Sequence, residues 1–143
     1  MQLTPLIAIH MTAALAATAI GPFAIWARRG RLQRPTLHRR IGYTWVLLMI
    51  ATALTALFIR DFRLPNWQGF TLIHLFIPAT LGALFMAFRR LRLGDIAGHR
   101  KSMQGLYVGA CLVAGGFTLL PGRYLGNLIF HRWLALSWPL VVV

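Results

Sequence analysis

Four histidines stand where an imidazole is costly unless it has a role. His10 and His74 lie at the starts of strongly apolar stretches, and His38 and His99 lie where an Arg-rich segment gives way to an apolar one. Polar side chains inside a membrane are expensive and usually functional. Imidazole ligates haem iron, and facing helices of a bundle can supply one ligand to each side of the macrocycle. Two opposed pairs at two depths, His10 with His74 and His38 with His99, would hold two b-type haems. Arg39, Arg40, Arg100 and Lys101 lie beside the second pair, where they could neutralise propionates. Gly82, Gly105, Gly109, Gly115 and Gly116 could make room for a bulky ring.

Each of these residues also has a plainer reading. His10 and His74 could hydrogen-bond helix to helix, as polar groups do in membranes. His38 and His99 could belong to a solvated cationic collar on lipid phosphate. Met11 beside His10 and Met103 near His99 are compatible with a copper site, and equally with simple packing. Gln104 and Tyr107 read either as packing or as the wall of a quinone site. His131 has no counterpart and reads as interfacial.

Other chemistry is poorly represented. Asp61 and Asp95 are the only acidic residues, which leaves no carboxylate pair for acid-base hydrolysis. The phosphate-binding glycine loop G-x-x-x-x-G-K is absent. Cys111 is the only cysteine, so neither an internal disulfide nor a cysteine metal cage is possible. Any catalysis must therefore rest on a bound cofactor.

The elements that would position these histidines are apolar blocks. Of the 143 residues, 58% are hydrophobic and only 12% charged, about half the charge of an ordinary soluble domain. The apolar residues fall in blocks of roughly 18 or more, enough to cross a ~30 Å hydrocarbon core as a helix. The blocks run at about 5–27, 41–58, 70–88 and 103–120. The small-residue run at 13–17 could pass for part of a signal peptide, but the first basic residue is Arg28. A signal peptide carries positive charge before its apolar stretch, so the segment reads as a retained first helix.

Charge orients the blocks. The net charge is +13, and 11 of the 15 basic residues lie in loops 28–40 and 89–102. The positive-inside rule places both loops in the cytoplasm. The loop between them carries Arg60 and Arg63, partly offset by Asp61. A nucleic-acid partner is not expected, because no soluble segment is long enough to form a basic face; lipid head groups account for the charge. Pro121-Gly122 should stop the fourth helix. Residues 124–143, with Trp133 and Trp138, read as an interfacial helix in preference to a short fifth span. Trp26, Trp45 and Trp67 fall near block ends, as in an aromatic belt.

A repeat runs through the chain at an offset of 61 residues. Arg28-Arg29-Gly30-Arg31-Leu32 with His38-Arg39-Arg40 reappears as Arg89-Arg90-Leu91-Arg92-Leu93 with His99-Arg100-Lys101. Ile9-His10 returns as Ile73-His74 at an offset of 64, which implies that the first block is about one turn longer. The unit is a helical hairpin, with repeat 1 at about 5–60 and repeat 2 at about 69–123. Two parallel copies are related by a pseudo-two-fold axis along the membrane normal. Equivalent histidines should then face each other, His10 opposite His74 at the outer face and His38 opposite His99 at the inner.

His38-Arg39-Arg40-Ile41-Gly42-Tyr43, Gly21-Pro22-Phe23 and Phe117-Thr118-Leu119-Leu120-Pro121-Gly122-Arg123 resemble a bacterial family of predicted membrane proteins of unknown function, DUF2306. More distantly, the placing of His10, His38, His74 and His99 on four successive helices resembles the di-haem core of the cytochrome b561 family. That resemblance implies that helices one and three share an outer haem and helices two and four an inner one. This sequence departs from it at His38 and His99, each followed by two basic residues where that family continues with apolar ones. The outer pair therefore carries the resemblance more fully.

The expected protein is all-α, a single integral membrane domain over residues 1–143. It is a four-helix bundle of two tandem hairpins with a C-terminal interfacial helix or short fifth span. The expected function is electron transfer across a bacterial inner membrane through two haem b groups, held by His10, His74, His38 and His99 with Arg39 and Arg100 on the propionates. A quinone or a soluble redox protein would be the partner. The alternative is a non-catalytic membrane subunit or assembly factor whose histidines pack helices or bind copper, with no haem. A small transporter is disfavoured, because intramembrane acids for proton coupling are lacking.

Overall fold

In the computed structural model, residues 3–28, 33–60, 62, 65–120 and 123–133 are described, with side chains through Phe130. They are helical throughout, apart from turns and one isolated bridge between Trp67 and Phe70. Expectations that rest on Arg29, Arg31, Asp61, Arg63, Pro121-Gly122 and residues 134–143 lie outside the described residues, as do those on the side chains of His131, Arg132 and Trp133.

Local signals set the helix starts. Helix α1 spans Pro5–Trp26, with the Thr4 hydroxyl accepting from the Ile7 N–H at 3.3 Å and proline in the first turn. Proline suits that position because its missing N–H would have no intrahelical partner. Helix α2 spans Pro35–Phe58 and also opens on proline, without a side-chain cap. It begins about six residues before its apolar block, so His38 lies in its first turn. A one-turn 3-10 segment, Leu72–Leu75, leads into α3, Phe76–Arg92. Helix α4 spans Ile96–Leu106, capped by the Asp95 carboxylate on the Gly98 N–H at 2.7 Å. Gly94, at φ 77°, turns the chain between α3 and α4, the left-handed step that commonly ends a helix. Beyond α4 the same rod widens into a π-helical stretch, Tyr107–Ala114, and closes with α5, Gly115–Phe117.

Three helices, Pro5–Trp26, Pro35–Phe58 and Leu72–Arg92, are long and apolar enough to cross a membrane. Many large apolar side chains, among them Phe23, Leu47, Leu54 and Phe85, stay exposed. Helices apolar on every side need an apolar solvent. Helix α1 packs along α2, α3 along α4, and α2 against α3. The buried residues of α1 are Ala13, Ala17 and Gly21, a four-residue spacing of small side chains that brings backbones close in lipid. Ala17 joins Trp45, Val46 and Met49 of α2 in one buried cluster, which Leu84, Leu106 and Cys111 complete from the other hairpin.

The turn between α2 and α3 folds through Gln68 and Gly69, at φ 52° and 83°. Two left-handed residues in sequence make a tight reversal, which favours glycine. Trp67 and Phe70 exchange backbone hydrogen bonds at 2.8 and 2.9 Å across it. After α5 the chain reverses. The Gly126 N–H donates to the Thr118 carbonyl at 3.2 Å, and helix α6, Tyr124–Asn127, runs on into a π-helical segment, Leu128–Trp133.

Candidate functional site

The four histidines fall into two different environments. His38 and His99 make the same contact in their respective hairpins. The Nδ1–H of His38 donates to the Ala24 carbonyl at 2.8 Å, and that of His99 to the Ala87 carbonyl at 3.0 Å. In each case the acceptor lies near the end of the preceding helix. A carbonyl on Nδ1 fixes the tautomer and leaves the Nε2 lone pair available for a metal. Among the described residues neither Nε2 has a hydrogen-bond partner.

Both rings line one cavity of about 370 Å³ at the basic end of the bundle, within the roughly 300–1,000 Å³ typical of small-molecule sites. Its wall draws on all four rods. Helices α2 and α4, which carry the two histidines, both line it. Phe88 of α3 meets His99 edge-on at 6.3 Å between centroids and stacks with Tyr43 at 6.5 Å. Arg28, Arg39 and Arg100 also line it. Arg100 reaches across the hairpins to the Arg28 carbonyl at 2.6 Å, and Arg28 holds the Gln33 amide oxygen at 2.9 Å. No carboxylate lines the cavity among the described residues, since Asp95 is used as a helix cap. Three guanidinium groups beside an apolar chamber favour an anionic group at its mouth.

His10 also donates Nδ1–H to a backbone carbonyl but does not line that cavity, and His74 is arranged otherwise. The Nδ1–H of His10 is shared between the Thr52 carbonyl and the Thr55 hydroxyl of α2, both at 3.1 Å. For His74, Nδ1 accepts from the Thr71 N–H at 3.1 Å, so Nε2 carries the proton and donates to the Ile59 carbonyl at 2.9 Å. Both its ring nitrogens are thereby used by the protein, and no lone pair remains for iron. The two histidines each reach the C-terminal end of α2, where their bonds hold one helix or turn to another.

Several lining residues gave no signal as ligands in the sequence: Trp45, Tyr43, Phe88 and Gly21 among them. One coupling was partly legible. Pro22 lies inside α1 and has no N–H to give the Thr18 carbonyl one turn back. The Tyr107 hydroxyl fills that need from the fourth rod, donating to Thr18 O at 3.0 Å. Gly21 admits the Tyr107 ring, because a Cβ there would lie 2.5 Å from its Cε2. Met103 and Gln104 line the same cavity, whereas Cys111 turns its thiol to the Met49 sulfur at 3.7 Å in the core.

A family model described as Predicted membrane protein (DUF2306) matches residues 7–142. No curated protein matches the chain, and no solved structure does.

Proposed function

The chain belongs to the DUF2306 family of predicted membrane proteins, and on that premise we propose that it is a haem b electron-transfer protein of the bacterial inner membrane. In this reading four rods cross the bilayer as two hairpin repeats, with loops 28–40 and 89–102 in the cytoplasm. The single observation that carries it is the matched pair His38 and His99, each with Nδ1 held by a backbone carbonyl and Nε2 without a partner among the described residues, on one arginine-lined cavity.

The residues fit a haem at this pair. His38 and His99 would hold the iron from helices α2 and α4, and the carbonyls of Ala24 and Ala87 would orient the rings and raise their basicity. Arg39 and Arg100 would neutralise the propionates. Val46 and Phe88 would keep water from the ring faces. Bound there, haem supplies a reversible one-electron couple whose potential depends on such ligation and burial. The outer pair does not fit a second haem in the same way, because His74 has no nitrogen to give. The four-histidine scheme thus narrows to one haem at the inner pair, with His10 and His74 packing helices.

A second reading is favoured by Met103, whose thioether shares the cavity with the two histidines. Two imidazoles and a thioether suit copper. An optical spectrum of the purified protein, oxidised and dithionite-reduced, separates the two readings. A sharp reduced α-band with about one haem per chain in a pyridine haemochrome assay supports the proposal. Two haems per chain would restore the outer pair. Colourless protein from haem-sufficient cells would sink the haem reading, and copper analysis would then decide the other.

A further inference from the structure

The turn between α2 and α3, at the end of the bundle opposite the basic loops, is tied together internally and yet presents an apolar surface. Helix α2 ends at Phe58, and the next membrane-length stretch begins at Leu72. Between them the Arg60 guanidinium lies over the Phe70 ring, 3.7 Å from its centroid, and donates to the Gln68 carbonyl at 3.3 Å. Phe70 meets His74 edge-on at 5.1 Å between centroids, and the Asn66 side-chain oxygen accepts from the Gly69 N–H at 2.9 Å. A Cβ on Gly69 would lie 2.9 Å from the Phe62 ring and 3.0 Å from the Arg60 Cβ. With the bond from His74 to the Ile59 carbonyl, these contacts fix the shape of the turn.

The outward side is apolar. Phe62, Trp67, Leu72 and Leu75 are 72%, 79%, 81% and 65% exposed, respectively. Among the described residues of the turn the one charged side chain is Arg60, and it is drawn onto Phe70 and Gln68. A turn surrounded by water ordinarily carries small and polar side chains. Large apolar side chains grouped on a surface mark a contact with something else.

Two observations select lipid as that contact. Leu72 and Leu75 form the first turn of the stretch Leu72–Arg92, so their surface is continuous with the exposed apolar face that Phe85 carries further along the same rod. A protein docking face would instead close on a polar rim. Trp67 lies five residues before Leu72, at the level where an indole places its apolar body in lipid and its N–H among head groups. Arg60 suits the same layer, because a guanidinium is weakly hydrated and stacks on aromatic rings.

We propose that this turn is an interfacial plug whose partner is phospholipid. It lies in the headgroup and glycerol layer, with Phe62, Trp67, Leu72 and Leu75 against the upper acyl chains and Arg60 at the level of the phosphates. The proposal stands independently of the haem reading.

The test uses the full-length protein in phospholipid nanodiscs, which leave both faces open to solutes. The emission lost on Trp67→Phe is that of Trp67. It should be blue-shifted, resist aqueous iodide, and lose most of its intensity in phosphatidylcholine brominated high on the acyl chains. Red-shifted emission, quenched by iodide and untouched by the brominated lipid, overturns the proposal and leaves the face to a soluble partner. A nitroxide on Phe62→Cys in a Cys111→Ser background gives a second reading that keeps Trp67. Oxygen should relax it more than a water-soluble nickel chelate does, as for a label at the exposed Leu47 of α2. A label at Ala97, in the basic loop, should show the reverse order. A label at position 62 that follows Ala97 overturns the proposal as well.

Discussion

At the scale of single residues, what separates the inner pair from the outer is His74, which uses both of its ring nitrogens within the protein. His38 and His99 spend Nδ1 on backbone carbonyls, and their Nε2 has no partner among the described residues. Replacing either His38 or His99 with alanine should abolish bound haem, seen as loss of the reduced α-band. His10→Ala and His74→Ala should retain it and lower stability instead, by about 1 kcal/mol for each lost hydrogen bond. Haem loss in the second pair with retention in the first would reverse the assignment. Gly21→Ala provides an independent check of the cavity wall. Its Cβ would fall 2.5 Å from the Tyr107 ring, and overpacking of this kind costs about 1–3 kcal/mol. A lowered thermal midpoint in detergent is expected, and an unchanged midpoint would mean that the ring does not pack there.

At the scale of elements, the bond between α1 and the fourth rod depends on a proline. Pro22 removes the N–H that would pair the Thr18 carbonyl, and the Tyr107 hydroxyl replaces it. Tyr107→Phe should therefore destabilise the protein by about 1 kcal/mol through the bare carbonyl. In a Pro22→Ala background residue 22 regains its N–H, so the same change should cost measurably less. Reversible unfolding of the four proteins gives the coupling, and equal effects of Tyr107→Phe in both backgrounds would deny the link. The π-helical stretch that begins at Tyr107 lies at this junction, where such widened turns are often found beside functional sites.

At the scale of the whole molecule, charge and hydropathy set orientation. With Cys111 replaced by serine, a single cysteine introduced at Arg34 or at Ala97 should react with a membrane-impermeant maleimide in inverted vesicles. Neither should react in intact spheroplasts. Labelling of one loop from each side would break the parallel arrangement of the two hairpins. Both basic loops lie at the same end of the bundle, as the bond from Arg100 to the Arg28 carbonyl requires. Arg28, Arg39 and Arg100, which line the cavity, lie at that end.

The sequence by itself determined that this is a helical membrane protein. Blocks of some 18 apolar residues admit few other solutions, since a spanning segment must satisfy its backbone internally. It also marked the start of the first helix at about Pro5, whereas α2 and α4 begin about six and seven residues before their apolar blocks, because their proline and Asp95 cap signals lie inside the basic loops. The His38 and His99 motif was likewise legible, with its arginines, because the repeat brings it back at a constant offset. Only the tertiary structure decided which partners the histidine ring nitrogens take. Ring-nitrogen partners such as the Ala24 carbonyl, the Ala87 carbonyl and Ile59 lie 12 to 15 residues away from them. No periodicity encodes a contact between elements at that distance. The same holds for the cavity. A tryptophan near a block end reads as an interfacial anchor until packing shows it buried in the core, as Trp45 is.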